Sequence, residues 1–293
     1  KSCDEIIVFI RSAAIDCGVS GYNEKTHNGI LRHVLIRSSY YNGKNLVVLV
    51  VNSDKCTTEI KELSNKIYKE LPNISGVCVN YNNKKTNLIL GENTELLYGQ
   101  DYIEEQLCDK VFKIGPKTFF QVNPKSADNI FRYVKDYIRN NYTEPAVLDA
   151  YAGIAAFGIG VSDIAKKVVS VEEVKESIEL AKIIAEENNI KNIDLYCGDA
   201  GKYFEKLIAD NKKFDVTILD PPRKGCTEDS LKYALKLTKS RIIYVSCNPA
   251  TLARDLKFLK EHGATIECIQ PFDMFPHTYH IENVAIINTS NLV

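Results

Sequence analysis

The distribution of apolar and polar positions divides the chain in two. From Pro145 onward, short β-branched runs alternate with stretches of helical period. The runs cover 146–150, 167–172, 193–196, 215–219, 241–245, 265–269 and 283–288, and the helical pattern between them is clearest at 175–188. Such alternation predicts a doubly wound α/β sheet of seven strands. No helix-length stretch separates the last two runs, so these are expected to pair antiparallel at the sheet edge.

The first 105 residues read differently, as a smaller α+β domain. Strands are expected at 6–10, 33–37, 45–51, 75–80 and 88–90. Asn42-Gly43 is a strong turn signal, and 57–71 carries a helical pattern through Ile60, Leu63, Ile67 and Leu71. A junction at 109–121, broken at Gly115-Pro116, leads into the second domain, taken as 106–293. Asn123 and Pro124 suit the cap and first residue of a helix reaching about Asn140, with Ile130, Val134, Tyr137 and Ile138 on its apolar side.

Composition is that of an ordinary globular chain, 45% hydrophobic and 26% charged. No apolar run reaches the length of a membrane span and no secretory signal opens the chain, so a cytoplasmic location is expected. The first residue is Lys1, which suggests a fragment or processed chain whose N-terminal module is missing. Nine cysteines without any C-x-x-C spacing disfavour a zinc ribbon or a local iron–sulfur site and suit a reducing compartment. Net charge is −1, so a nucleic-acid partner needs a local basic patch. Arg11, Arg32, Arg37 and Lys44 are candidate phosphate contacts, with solvated surface charge as the alternative for each.

The chemistry concentrates at the expected strand ends. The first strand of the sheet runs into Leu148-Asp149-Ala150-Tyr151-Ala152-Gly153-Ile154-Ala155-Ala156-Phe157-Gly158. This is G-x-A-x-x-G, one step from the dinucleotide fingerprint. Ala155 stands where a glycine lets backbone approach a pyrophosphate, so a ligand without phosphates fits better and a dehydrogenase is disfavoured. Glu172 ends the second strand, where an acid can bind ribose hydroxyls, and Asp199 follows the third. Asp220-Pro221-Pro222-Arg223 follows the fourth; its prolines stiffen the loop that carries the carboxylate. Cys247 follows the fifth, just before Asn248 and Pro249, which cap and open a helix. A thiol beside a helix N-terminus is expected to have a lowered pKa. Glu282, where the last strand begins, can project from the same edge and act as a base beside the thiol. His277, His280 and Glu282 match no standard zinc spacing and Pro276 opposes a helix there, so no metal is expected.

Taken together, Ser246-Cys247-Asn248-Pro249-Ala250-Thr251-Leu252-Ala253-Arg254-Asp255, Asp220-Pro221-Pro222-Arg223-Lys224-Gly225, Phe119-Phe120-Gln121-Val122-Asn123 and Asp273-Met274-Phe275-Pro276-His277-Thr278 resemble the RNA 5-methyluridine methyltransferases. The resemblance is strong over 112–287. It implies a Rossmann-like seven-stranded methyltransferase sheet, S-adenosyl-L-methionine as cofactor and an RNA partner. The target would be a uridine of 23S ribosomal RNA, favoured over tRNA, and the protein a monomer. Cys247 would attack C6 of the uridine and Glu282 would remove the C5 proton. Gln121, Tyr151, Glu172, Asp199 and Asp220 match cofactor-contact positions, and Arg223, Phe120 and Asn248 are expected on the substrate side. Two other readings use the same fold. One is an RNA cytosine-C5 methyltransferase with Cys226 as nucleophile; the other is a non-catalytic RNA-binding or folding factor.

Overall fold

The computed structural model describes residues 2–292 and falls into two compact units. The first holds the residues up to Glu105 together with Phe112–Phe120. The second holds Gln106–Val111 and everything from Gln121 on.

The first unit opens with α1 (Ser2–Asp16), then β1 (Leu31–Ser38), β2 (Asn45–Val51), α2 (Thr58–Glu70), β3 (Ile74–Tyr81) and β4 (Asn93–Gly99). The four strands form one sheet in the order β1-β2-β3-β4. Strand β2 is wholly buried because both faces of the sheet are covered there. With side chains alternating along a strand, Val47, Leu49 and Val51 meet helices α1 and α2, while Leu46 and Val48 meet Cys78, Ile103 and Ile114 on the other face. Strand β3 runs parallel to β2, a connection that needs the crossover helix α2. Thr57 caps α2, accepting from the Ile60 amide.

Two expectations for this unit fail. Residues 6–10 belong to α1 instead of a strand. Ile6, Ile10, Ala13 and Ala14 recur at helical spacing and are buried, whereas Ile7 and Val8 between them face solvent. The apolar run 88–90 is loop; Leu88 is 69% exposed, and the Asn82 amide donates to the carbonyls of Leu88 and Ile89. The strand that pairs with β3 is β4, five residues further on. Two of the candidate phosphate contacts are internal struts. Arg32 donates to the carbonyls of Asn82, Lys84 and Thr86 and stacks on Tyr22, and Arg37 donates to the carbonyl of Pro116. Arg11 and Lys44 are exposed.

Strands β5 (Ile103–Leu107) and β6 (Lys110–Ile114) form a two-stranded sheet through which the division between the units passes. Helix α3 (Pro124–Asn141) follows, capped by Asn123 and opened by Pro124 as the sequence requires. The rest of the second unit runs β7 (Ala146–Ala150), α4 (Ala156–Val161), β8 (Lys167–Glu172), α5 (Lys175–Glu187), β9 (Ile193–Cys197), α6 (Ala200–Ala209), β10 (Phe214–Leu219), α7 (Glu228–Leu237), β11 (Thr238–Ser246), α8 (Pro249–Glu261), β12 (Thr265–Phe272) and β13 (Glu282–Asn288). The sheet order is β12-β13-β11-β10-β7-β8-β9. Strands β7 to β11 are parallel, and β13 lies antiparallel between β11 and β12. The strand order reverses at β7, the point at which open α/β sheets bind ligands beyond their carboxyl ends.

The buried face of α1 gives a direct check. Ile10→Ala should cost about 2–4 kcal/mol in chemical denaturation by opening a cavity, whereas Val8→Ala should stay within about 0.5 kcal/mol. Equal effects would contradict the helical assignment.

Candidate active site

The carboxyl end of β7 turns sharply. Tyr151, Gly153 and Ala155 all have positive φ, at 59°, 55° and 56°. The turn is pinned from below by Asp149, whose Oδ2 accepts from the Gly158 amide at 2.9 Å and the Ser170 hydroxyl at 3.1 Å. Only glycine fits at 158: a Cβ there would stand 2.4 Å from Ser170 Oγ and 2.9 Å from Asp149 Oδ2. The other Asp149 oxygen is buried without a partner. Burial accordingly pushes the Asp149 carboxyl up to about 7, against the two hydrogen bonds that stabilise its charge.

At the end of β8, Glu172 holds the same turn from the side. One carboxylate oxygen accepts from the Gly153 amide and the other from the Val174 amide, each at 2.9 Å. Asp199 caps α6 through the Lys202 amide and is exposed. Tyr151 is half-buried against the core around Cys226. Gln121, just ahead of α3, is also half-buried.

Asp220, Cys247 and Glu282 converge at the ends of β10, β11 and β13. The ladder between β11 and β13 ends on the pair Ser246 and Asn283, so Cys247 and Glu282, the next residue on each side, both adjoin that last rung. Asn248 caps α8 by accepting from the Ala250 amide, which fixes the chain just after the thiol.

The electrostatics correct one expectation. The Cys247 thiol adjoins a helix start, yet its pKa is raised. Burial is the main cause, the carboxylates of Glu282 and Asp220 add to it, and Arg223 opposes it. Sequence spacing displays the helix start and Glu282 but not the burial of the sulfur. Glu282 is 5% exposed, and burial carries its pKa up to about 7, again with Arg223 opposing. Burial also drives Asp220 well above its ordinary range, and Glu282 and then Asp149 reinforce the shift. A carboxyl group that titrates near neutrality beside a nucleophile suits proton abstraction at working pH.

Of the residues singled out in the sequence, Cys247, Glu282, Asp220, Arg223 and Asn248 come together around the thiol; the Asn248 amide donates to the Arg223 carbonyl at 3.1 Å. Tyr151, Glu172, Asp199 and Gln121 belong to the same unit, whereas Phe120 belongs to the first, where it packs beside Phe112. His280 and Asp255 went unassigned. His280 Nε2 lies 3.5 Å from Arg223 Nη2, and Asp255 is a buried acid of α8 inside a motif already noted. Among the described residues no group of three or more His, Cys, Asp or Glu is arranged to hold a metal ion.

A model of the tRNA (uracil-5-)-methyltransferase family matches residues 56–289, which include every one of these groups. The chain belongs to that family. Among proteins of similar sequence, an uncharacterised RNA methyltransferase of Oceanobacillus iheyensis is 38% identical over 97% of this chain and 62% of its own length. One of Clostridium tetani is 39% identical over 98% of this chain and 62% of its own length. The chain thus spans about 62% of the length of these relatives. Among solved structures, the Pyrococcus abyssi tRNA (uracil-54, C5)-methyltransferase in complex with S-adenosyl-L-homocysteine superimposes with a TM-score of 0.83. It is 28% identical and covers 98% of this chain and 67% of its own. Trm5b of the same organism, 15% identical with a TM-score of 0.56 over 87% of this chain and 74% of its own, shares the fold alone.

The raised Glu282 pKa fixes the sign of a stability test. A carboxyl whose folded pKa exceeds its unfolded value stabilises the fold while protonated and loses that contribution as pH rises from about 4.5 to about 7. Glu282→Gln should therefore melt like the parent at pH 5 and be more stable by about 1–3 kcal/mol at pH 8. Thermal denaturation at the two pH values checks this, and an equal difference at both would refute the shift.

Proposed function

We propose that the protein transfers a methyl group from S-adenosyl-L-methionine to C5 of a uridine in RNA, with Cys247 as nucleophile and Glu282 as base. The observation that carries this reading is the meeting of Cys247 and Glu282 beside the last rung of β11 and β13, where the Glu282 carboxyl acts on the thiol and titrates near neutrality. The family supports it, as does the cofactor product in the Pyrococcus abyssi structure.

The residues fit the cofactor. Gly153, left-handed at φ 55°, has open space where a Cβ would project, and Glu172 is fixed beside it with lone pairs left for ribose hydroxyls. Asp199 and Asp220 stand at the next two strand ends counted outward from Glu172 and from β7, and these acids suit a cationic sulfonium ligand better than a pyrophosphate. Ala155, fully buried at the turn, agrees with a phosphate-free ligand. Tyr151 and Gln121 complete the set we assign to it. When bound, the cofactor supplies an electrophilic methyl group.

Uracil C5 is a poor nucleophile until a group adds at C6. In our reading Cys247 gives up its thiol proton to solvent and the thiolate bonds to C6, while the C5–C6 π pair shifts to C5 and gives it carbanion character. Once C5 is methylated, Glu282 takes its proton, the C5–C6 double bond re-forms and the C6–S bond breaks. Arg223 is placed to favour both ionised partners, since it lowers the pKa of each. The uridine must leave its stack to reach Cys247, which RNA loops with splayed bases make easier. Phe120 and Asn248 are assigned to the substrate side. Cys226 does not suit the cytosine-type nucleophile: it is 7% exposed, and burial pushes its thiol up to about 12.

The test is trapping with 5-fluorouridine RNA, both a T-loop and a 23S ribosomal hairpin, in the presence of the cofactor. Fluorine blocks the last elimination, so mass spectrometry should find RNA on Cys247 and none in Cys247→Ala. We expect the ribosomal hairpin to trap faster than the tRNA loop. With ordinary uridine, Glu282→Gln should accumulate the adduct and turn over at least about 100-fold more slowly. An adduct that survives Cys247→Ala would sink the mechanism.

A further inference from the structure

The loop after β10 is held by donors and acceptors of α8, the helix that begins two residues after Cys247. The Asn248 amide donates to the Arg223 carbonyl, and Thr251 Oγ1 lies 3.2 Å from the same oxygen. Arg254 Nη2 donates to the carbonyls of Lys224 at 2.9 Å and Cys226 at 3.1 Å. Asp255 accepts from the Cys226 amide at 2.9 Å and from the Tyr244 hydroxyl at 2.5 Å, and pairs with Arg254 at 2.7 Å. Gly225 closes the arrangement. Its φ is 75°, and a Cβ would meet Arg254 Nη2 and Asp255 Oδ2, each at 2.6 Å.

The tip of this loop, Pro222 to Lys224, is exposed, whereas Gly225 and Cys226 behind it are buried. Three of the four residues from Arg223 to Cys226 have backbone groups held by side chains of α8 and its cap Asn248, and one of those side chains is a buried acid satisfied on both oxygens. The Arg223 side chain that emerges from the gripped backbone is itself exposed, and faces Cys247, Glu282 and His280.

We propose that Thr251, Arg254 and Asp255 are positioning residues, which hold the 223–226 backbone so that the Arg223 guanidinium is aimed at Cys247 and Glu282. They touch no reacting atom and act through Arg223. The inference rests on the reading of Cys247 as the nucleophile, but its test needs no RNA.

The groups that set Cys247 ionisation are Glu282 and Asp220, which oppose it, and Arg223, which favours it; Arg254 is not among them. The pH dependence of Cys247 alkylation by iodoacetamide, followed on its peptide by mass spectrometry, therefore reports where Arg223 points. Arg223→Ala should raise the pH midpoint. Arg254→Ala and Asp255→Asn should raise it in the same direction, by about half a unit or more. Arg254 is the safer variant for folding, because its side chain is 57% exposed. The double variant Arg223→Ala/Arg254→Ala should shift no further than Arg223→Ala alone, the signature of two residues acting through one group. An unmoved midpoint in a folded Arg254→Ala protein with lowered melting temperature would reduce these residues to a structural brace. Additive shifts would mean that Arg254 acts on the thiol directly. Failure of wild-type protein to trap any RNA would overturn the methyltransferase reading and leave these midpoints unaffected.

Discussion

One guanidinium serves two groups that compete for it. Cys247 and Glu282 both ionise more readily with Arg223 at hand, and the Glu282 carboxylate disfavours charge on the thiol. Asp220 adds a third claim on the same small volume. A thiol and two acids drawn out of water beside one exposed cation cannot all be charged cheaply. The site is therefore poised to hold protons that a catalytic cycle can move. Strand ends, capped helix and stiffened loop are the means by which the chain keeps these four groups together.

The sheet was legible because its signals were local and repeated. Strands β7, β8 and β10 carried apolar residues buried on both faces, and each ended near a group whose chemistry stands out in a string of letters. Asn123-Pro124 and Asn248-Pro249 mark their helices because side-chain capping and a fixed φ are properties of those two residues alone. The first helix was misread for the complementary reason. Ile6-Ile7-Val8 looks like a strand until the burial of Ile10, Ala13 and Ala14 reveals a period of 3.6. Arg32 and Arg37 show that a basic side chain in sequence is no guide to solvent exposure.

The candidate site was legible as a list of residues and much less so as an electrostatic object. Helix dipole reasoning gave Cys247 the wrong sign, since burial of the sulfur, reinforced by Glu282 and Asp220, outweighs the helix start. Asp255 was visible in its motif but had no evident task, because its partners, Cys226 and Tyr244, lie on different elements. Pairings across the fold set both results, and a single sequence records none of them directly.

The reversed direction of β13 has a geometric consequence for how such sites are assembled. In a purely parallel sheet, first residues and last residues of strands lie on opposite margins, about 20 Å apart for a seven-residue strand. Running one strand backwards brings an opening residue, Glu282, to the margin where its neighbours close. A base at that place is indexed by the ladder and not by the segment that precedes it. The pairing of Glu282 with Phe272 of β12 fixes that place whatever path the chain takes through the nine residues between the two strands.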